Sequence, residues 1–545
     1  MKRISIDYYF IGLLGVISAV LVFKFKHLSL PYFWDEAWVY APAVLEMHKS
    51  GLSLLPDAIP PELSRGHPLL FHFLAACWVK IFGTSFFAVH SFALTVSVAL
   101  LVAVYLFCKE FFSPLVGLLA SLMLAVQPLF LAQSSFLLPE VMMALWTVLV
   151  LYYYLKEKWI LFIVFASLML LTKESGIVLL GTIGLWTLFE NVFLKKEPVF
   201  KPEALKTYVL IASPLMVAGV YFIIQKLQNG WFLYPEHIGM MTFGWGIFHK
   251  KLLDVYGFLL QGQGRYLLFI SFFFCVSFFW KSLSWIEKIF IPFAYLAVTY
   301  ILFNLWGADD KLSIVLILII FARLFQTLFI KIYNEDVLTG RVLSISALFV
   351  FFYFIFSQLN FLSLRYLLLI VPVIILIILG FIYRILEDKK WLFILVAVVS
   401  IANCFRQIHK YENVGDYNLS YIDAIKAQQK LVNYCEENKL HENKIFASFI
   451  LNNSLSNPIA GFLSAPKSFA DLTDTLTSDV EYCLFTNIDL QEENDSLLNV
   501  IKLEKVKSFE TNKVWIDVYK FHGFINDSIG KGTNANLIKR KLKKI

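Results

Sequence analysis

Charge is scarce in this chain. Only 16% of its 545 residues are Asp, Glu, Lys or Arg, and 59% are hydrophobic. A soluble domain holds about 25% charged and 45–50% apolar residues, so a soluble globular protein is excluded. Cysteine is sparse too: six residues, with no C-x-x-C pair among them, which argues against a structural zinc site. There is no internal repeat, Pro-rich linker or low-complexity tract. The first apolar run has no small-residue cleavage site after it, so it reads as a retained helix rather than a removed leader. The basic excess is a modest +7. It fits basic cytoplasmic loops and gives no reason to expect a nucleic-acid partner.

Long apolar runs are what the chain does have. Segments of membrane-spanning length recur up to about residue 405. They predict about 13 transmembrane helices, near 8–23, 86–107, 115–133, 139–155, 159–172, 176–193, 207–225, 266–280, 288–306, 312–331, 342–357, 366–384 and 391–405. With the N-terminus inside, the inside loops collect Lys2, Arg3, Lys109, Lys156, Lys195, Lys281, Lys331, Arg341, Arg384 and Lys389. The opposite loops are poorer in Lys and Arg. They carry Asp35, Glu36, Glu62, Glu140, Glu236, Asp309 and Asp310. Segments 67–83 and 247–261 read as amphipathic helices along the external surface.

The expected fold is therefore a polytopic α-helical membrane domain, residues 1–405, with a first external loop over 24–85. A small extracytoplasmic α/β domain, 406–545, follows. Ser420 and Asp423 suggest a capping box that opens a helix over 421–438. KIFASFIL (444–451), VEYCLFTNI (480–488), LLNVIKLEKV (497–506) and KVWIDVYKF (513–521) read as strands. Cys435 and Cys483 share this domain, where two free thiols are expected although an external location allows a bridge. The basic end, Lys539 to Lys544, reads as a solvated tail.

The chemistry-bearing residues fall on the external face. Asp35–Glu36 opens WDEAWVYAPAVLEM, where an acid can cap a helix or act as a base. Glu140 follows LLP at the outer end of a span, where a carboxylate faces a cavity or a partner. Lys173–Glu174 interrupts an apolar stretch. It reads either as a self-neutralising pair at a hairpin or as a functional one. Arg65 and His67 lie in RGHP, Glu236 and His237 in YPEH, and Arg365–Tyr366 in SLRYLLLIVP. Snorkelling to the interface is the plain reading of that arginine. Together, acids and bases from separate segments suit an anionic lipid head, held through charge-assisted hydrogen bonds, and a hydroxyl acceptor.

These motifs resemble those of the GT-C glycosyltransferases, in the branch containing protein O-mannosyltransferases and the lipid A aminoarabinose transferase. The resemblance runs over most of residues 1–385: WDEAWVYAPAVLEM, RGHPLLFHFLAACWVKIFG, LLPE, LLTKESG, YPEHIG and SLRYLLLIVP, in that order. It implies a membrane enzyme that moves one sugar from a polyprenyl-phosphate donor to an external hydroxyl acceptor of unspecified class. It implies Asp35 as the base, supported by Glu36, with Glu140 as a second acid. Lys173 and Arg365 would bind the donor phosphate with His67 and Arg65 nearby, and Glu174, Glu236, His237 and Tyr366 would line the cavity. Glu140 stands where the family commonly has Asp, and His67 where the aminoarabinose branch has Lys. No His/Asp cluster calls for a metal cofactor, while the resemblance leaves a divalent cation open. A bacterial inner membrane is the expected location. A transporter or lipid flippase is the alternative, but such folds place charges near the midplane and show repeats. A membrane scaffold with an external sensing domain leaves the acidic loop unexplained.

Overall fold

The computed structural model describes residues 7–240, 244–305, 311–360, 363–411, 413–464, 469–488 and 501–524. Lys2, Arg3, Asp309, Asp310, the start of the third expected strand and the basic end lie outside these residues. The chain is a multi-pass helical membrane protein carrying a small C-terminal sheet. Among the described residues, eight helices are long and apolar enough to cross a bilayer, or nine with one bent pair. They include Tyr8–Phe25, Phe86–Phe111, Glu174–Leu194, Pro202–Asn229, Val337–Leu359 and Leu364–Ile385. Apolar helices Pro114–Ala125, Glu140–Leu155 and Trp159–Thr172 are shorter. Each expected span is helical over most of its described residues, but this measure does not confirm a count of thirteen crossings.

Breaks in the helices have local causes. The expected span 115–133 divides at Gln127, because Pro128 starts the next helix and lacks the N–H that would continue the first. Segment Gly246–Gly264 meets helix Tyr266–Phe279 at 90°. Gln263 (φ 55°) and Gly264 (φ 81°) form that corner in left-handed backbone. A Cβ on Gly264 would meet the Cys404 backbone at 2.8 Å, so glycine is required there. The break frees carbonyls in a dry interior, and Arg265, fully buried, answers them. It donates to Leu259 O at 2.8 Å, to Phe258 O, and to Gln127 Oε1 at 2.8 Å.

The C-terminal sheet has five strands in the order β2-β1-β3-β5-β4. They are β1 Ile445–Ala447, β2 Leu472–Thr473, β3 Tyr482–Thr486, β4 Ile501–Thr511 and β5 Val514–Phe524. β1 runs parallel to β2 and β3, while β3–β5 and β4–β5 are antiparallel. Asn512, at φ 54°, makes the β4–β5 turn. Helix Ser420–Glu437 packs on this sheet, with the Tyr434 and Phe509 rings 5.6 Å apart.

Two sequence expectations need correction. KIFASFIL is a strand only to Ala447; from Phe449 it is helical, because Ser448 in extended backbone turns the chain. The Ser420/Asp423 capping box does not form. Ser420 Oγ instead accepts from Gly415 N at 3.0 Å, and Asp423 accepts from Tyr411 and Asn512. All six cysteines are free thiols.

The C-terminal sheet domain is docked, not tethered. Tyr32 N donates to Ala460 O at 3.0 Å, and Asn457 Nδ2 to Ala37 O at 3.0 Å. Lys24, fully buried, donates to Leu131 O at 2.7 Å and to Tyr421 Oη at 2.9 Å. One apolar core runs continuously from the first helix into the sheet domain.

Candidate active site

The loop after the first helix enters the site through an irregular backbone. Trp34 adopts φ 54°, a left-handed conformation that is costly for a tryptophan, and Glu36–Tyr40 forms a single π-helical turn. Such turns re-aim side chains. Here they send Asp35 and Glu36 to different partners.

Glu36 is fully buried. Oε1 accepts from Leu137 N at 2.6 Å and lies 3.0 Å from His90 Nε2, while Oε2 accepts from Phe33 N at 3.3 Å. His90 Nδ1 in turn faces Leu28 O at 2.8 Å. Glu36 thus ties the loop to helix Phe86–Phe111 and to the connection at Leu137, and shapes the floor beside Asp35.

Asp35 stands before the turn but makes no capping hydrogen bond. Oδ1 accepts from Trp38 Nε1 at 3.0 Å, Oδ2 pairs with Arg365 Nη2, and the side chain stays 25% exposed. Burial raises its pKa, but Arg365 and the Trp38 N–H outweigh burial and hold the group below the usual carboxylate range. Capping and catalysis were both open for this residue; its oxygens cap nothing.

Arg365 lies in the 3-10 segment Leu364–Leu369, just before helix Val371–Ile385, which has Pro372 in its first turn. It does not snorkel. It is 2% exposed and turned inward. Nη2 meets Asp35, Nη1 meets Asp416, and Nε lies 3.6 Å from Glu140 Oε1. Glu140 is the first residue of its helix, yet it makes no cap either. Its Oε1 accepts from Lys173 Nζ at 3.3 Å, and its Oε2, buried, has no hydrogen-bond partner among the described residues. Lys173 also lies 3.9 Å from the centre of the Tyr366 ring.

Lys173 and Glu174 do not neutralise each other. Extended backbone at Lys173 (φ −160°) followed by a 3-10 turn parts them. Glu174 Oε2 meets His67 Nδ1 at 3.0 Å, and the His67 and His237 rings are 5.1 Å apart. Arg65 pairs with Glu236 at 3.2 Å and lies 5.0 Å from the Trp38 ring centre and 5.9 Å from that of Tyr234. The candidates therefore form an inner group of Asp35, Glu140, Lys173, Arg365 and Tyr366, and an outer group of Arg65, His67, Glu174, Glu236 and His237. Trp38 and the Lys173–Glu174 step join the two.

Sequence reasoning missed Asp416. It comes from the turn between the last span and the sheet domain, and it is buried against Arg365. Burial raises its carboxyl above the usual range, Arg365 offsets only part of that, and Asp35 and Glu140 add to the rise. Its one sequence signal was an acid in GDYN, shortly after the last span and on the expected catalytic face. Among the described residues, no group of three or more His, Cys, Asp or Glu is arranged to hold a metal; the inner carboxylates face Arg365 and Lys173 instead.

An apolar cavity of 390 Å³ lies among the membrane helices, lined by Phe248, Leu252, Phe272, Phe325, Phe351 and Phe354 with others. Helix Val337–Leu359 connects it to the site: Phe351 and Phe354 line the cavity, and Tyr353 Oη donates to Tyr366 O at 3.2 Å.

Among solved structures, the chain resembles ArnT from Cupriavidus metallidurans bound to undecaprenyl phosphate. The TM-score is 0.47 at 12% identity, over 93% of this chain and 97% of that one. It also resembles the oligosaccharyltransferase AglB from Archaeoglobus fulgidus in complex with an inhibitory peptide and a dolichol-phosphate. There the TM-score is 0.44 at 11% identity, over 97% and 75%. Neither likeness is strong enough to carry an assignment. No curated protein matches the chain by sequence. Residues 66–218, less than half of the chain, match the family of dolichyl-phosphate-mannose-protein mannosyltransferases. That stretch contains His67, Glu140, Lys173 and Glu174. Over that stretch the chain is similar to this family of membrane mannosyltransferases.

Proposed function

We propose that this protein transfers a single sugar from a polyprenyl-phosphate carrier to a hydroxyl acceptor on the extracytoplasmic face of a bacterial inner membrane, its N-terminus inside. The observation that carries this reading is the inner group itself. Asp35 is ionised, partly open and beside two buried cations, Arg365 and Lys173. The apolar cavity, linked to it through helix Val337–Leu359, suits a lipid chain.

The donor phosphate lies against Arg365 and Lys173, which offer charge-assisted hydrogen bonds. The acceptor hydroxyl loses its proton to Asp35 as its oxygen bonds to the anomeric carbon. The bond from that carbon to the phosphate oxygen breaks, and the electron pair leaves with the lipid phosphate. That phosphate is a stable anion, so a strong general acid is not required. Glu140 holds Lys173 and Arg365 in place, and Glu36 fixes the loop that presents Asp35. His67, Glu174, Arg65, Glu236 and His237 line the outer approach, where Trp38 and Tyr234 offer flat apolar surfaces to a sugar.

The test is transfer from radiolabelled lipid-linked sugars in membrane extracts, comparing the parent protein with Asp35→Asn. Transfer at the parent rate by that variant would remove Asp35 as the base.

A further inference from the structure

The inner group is out of charge balance. Arg365 and Lys173 supply two cations, while Asp35, Glu140 and Asp416 supply three carboxylates. Bringing in an anionic lipid phosphate deepens the excess of negative charge in a buried place, where unpaired charge is costly. One carboxylate must therefore change state. Asp35 is needed ionised as the base. Glu140 spans both cations. Asp416 touches Arg365 alone among the site's cations.

Asp416 is also placed deliberately. Its carbonyl accepts from Gln133 Nε2 at 2.7 Å, and that of Tyr417 from Gln263 Nε2 at 3.0 Å. Asn418 Nδ2 donates to Asn413 O at 3.0 Å. Both membrane-side glutamines thus hold the turn from below. The charged groups facing the carboxyl are Arg365 from the 3-10 segment, Asp35 from the first loop, and Glu140 from its helix with Lys173 behind it.

Building on the donor reading above, we propose that Asp416 is a positioning residue for Arg365 and takes up the proton that lets the lipid phosphate bind. Ionised, Asp416 holds the guanidinium in the donor-free site. Protonated, it releases Nη1 to the phosphate. The burial that raises its carboxyl works in the same direction. Donor affinity then falls as pH rises past the titration of Asp416.

The experiment uses full-length protein in nanodiscs and a short-chain polyprenyl methyl phosphate, a monoanionic diester that does not itself titrate near neutrality. Calorimetric titration in two buffers of different ionisation heat, from pH 5 to 8, reads affinity and proton uptake together. For the parent, affinity should fall by up to about tenfold per pH unit above the titration point, with proton uptake there. Asp416→Asn should bind more tightly at the alkaline end, with flat pH dependence and no uptake. Asp416→Glu should restore the slope with its midpoint moved, which keeps the test decisive where the Asn variant fails to fold. A pH-flat parent, or unchanged uptake in Asp416→Asn, overturns the proposal. Equal binding of the probe by Arg365→Gln overturns the donor reading instead.

Discussion

Helix Glu174–Leu194 has a buried ion cluster near each end, and the two are built differently. At the Glu190 end, one carboxylate meets two cations and a hydroxyl. Arg341 Nε lies at 2.9 Å, Tyr333 Oη at 2.7 Å and Lys195 Nζ at 3.4 Å. At the Glu174 end, three carboxylates crowd Arg365 and Lys173, and Glu140 Oε2 is left without a partner among the described residues. A satisfied network braces helices. An unbalanced one with an orphan oxygen has room in its bonding for something else. The first is a strut; the second is the cluster proposed above to take a ligand.

Substitutions should separate them. The largest effect is expected from Asp35→Asn, with transfer down by about 10²–10⁴-fold and the unfolding temperature nearly unchanged. Next, Arg365→Gln should lower transfer by about 10²–10³-fold and also destabilise, since it strands buried carboxylates. Arg341→Gln at the other end should cost about 3 kcal/mol of stability while each folded molecule keeps its transfer rate. A large loss of activity per folded molecule in Arg341→Gln would erase the distinction between the clusters. These three variants need only thermal unfolding and a transfer assay in parallel.

The smallest effect concerns pH. Burial, followed by the nearby His67, pulls His237 down to about 4 from its ordinary 6.5. The unfolded chain therefore binds the extra proton first, and stability is lost as pH falls from about 6.5 towards 4. The unfolding temperature should drop over that window, and His237→Gln should flatten the drop. An unchanged slope in that variant would place the acid sensitivity elsewhere.

Most of the inner group was legible before any coordinates. Asp35, Glu140, Lys173 and Arg365 each interrupt or border an apolar run, where a charge stands out because hydrocarbon makes it expensive. Asp416 was not legible for the opposite reason. It sits in a polar turn, where aspartate is common for its own hydrogen bonds. Pairwise geometry was hidden too. Nothing local says that Lys173 turns to Glu140 while Glu174 turns to His67, because one backbone torsion decides it. The helices were found by their hydropathy, and Pro128 marks the break at Gln127 locally, whereas the buried arginine at the 90° corner is answered by a partner more than 130 residues away. In the sheet domain, the strand-to-helix switch at Ser448 lies inside an apolar octet whose residues suit both states.

The docking of the turn at Asp416 has a consequence for biogenesis. Every membrane helix can be inserted and packed while Arg365 still lacks one of its three carboxylates. The missing one arrives only when the segment after the last span has settled on Gln133 and Gln263. A nascent chain halted at residue 405 would hold all its other inner residues and an incompletely paired arginine. Assembly of the inner group is thus one of the last events in the making of the molecule, and the sheet domain acts as its clasp.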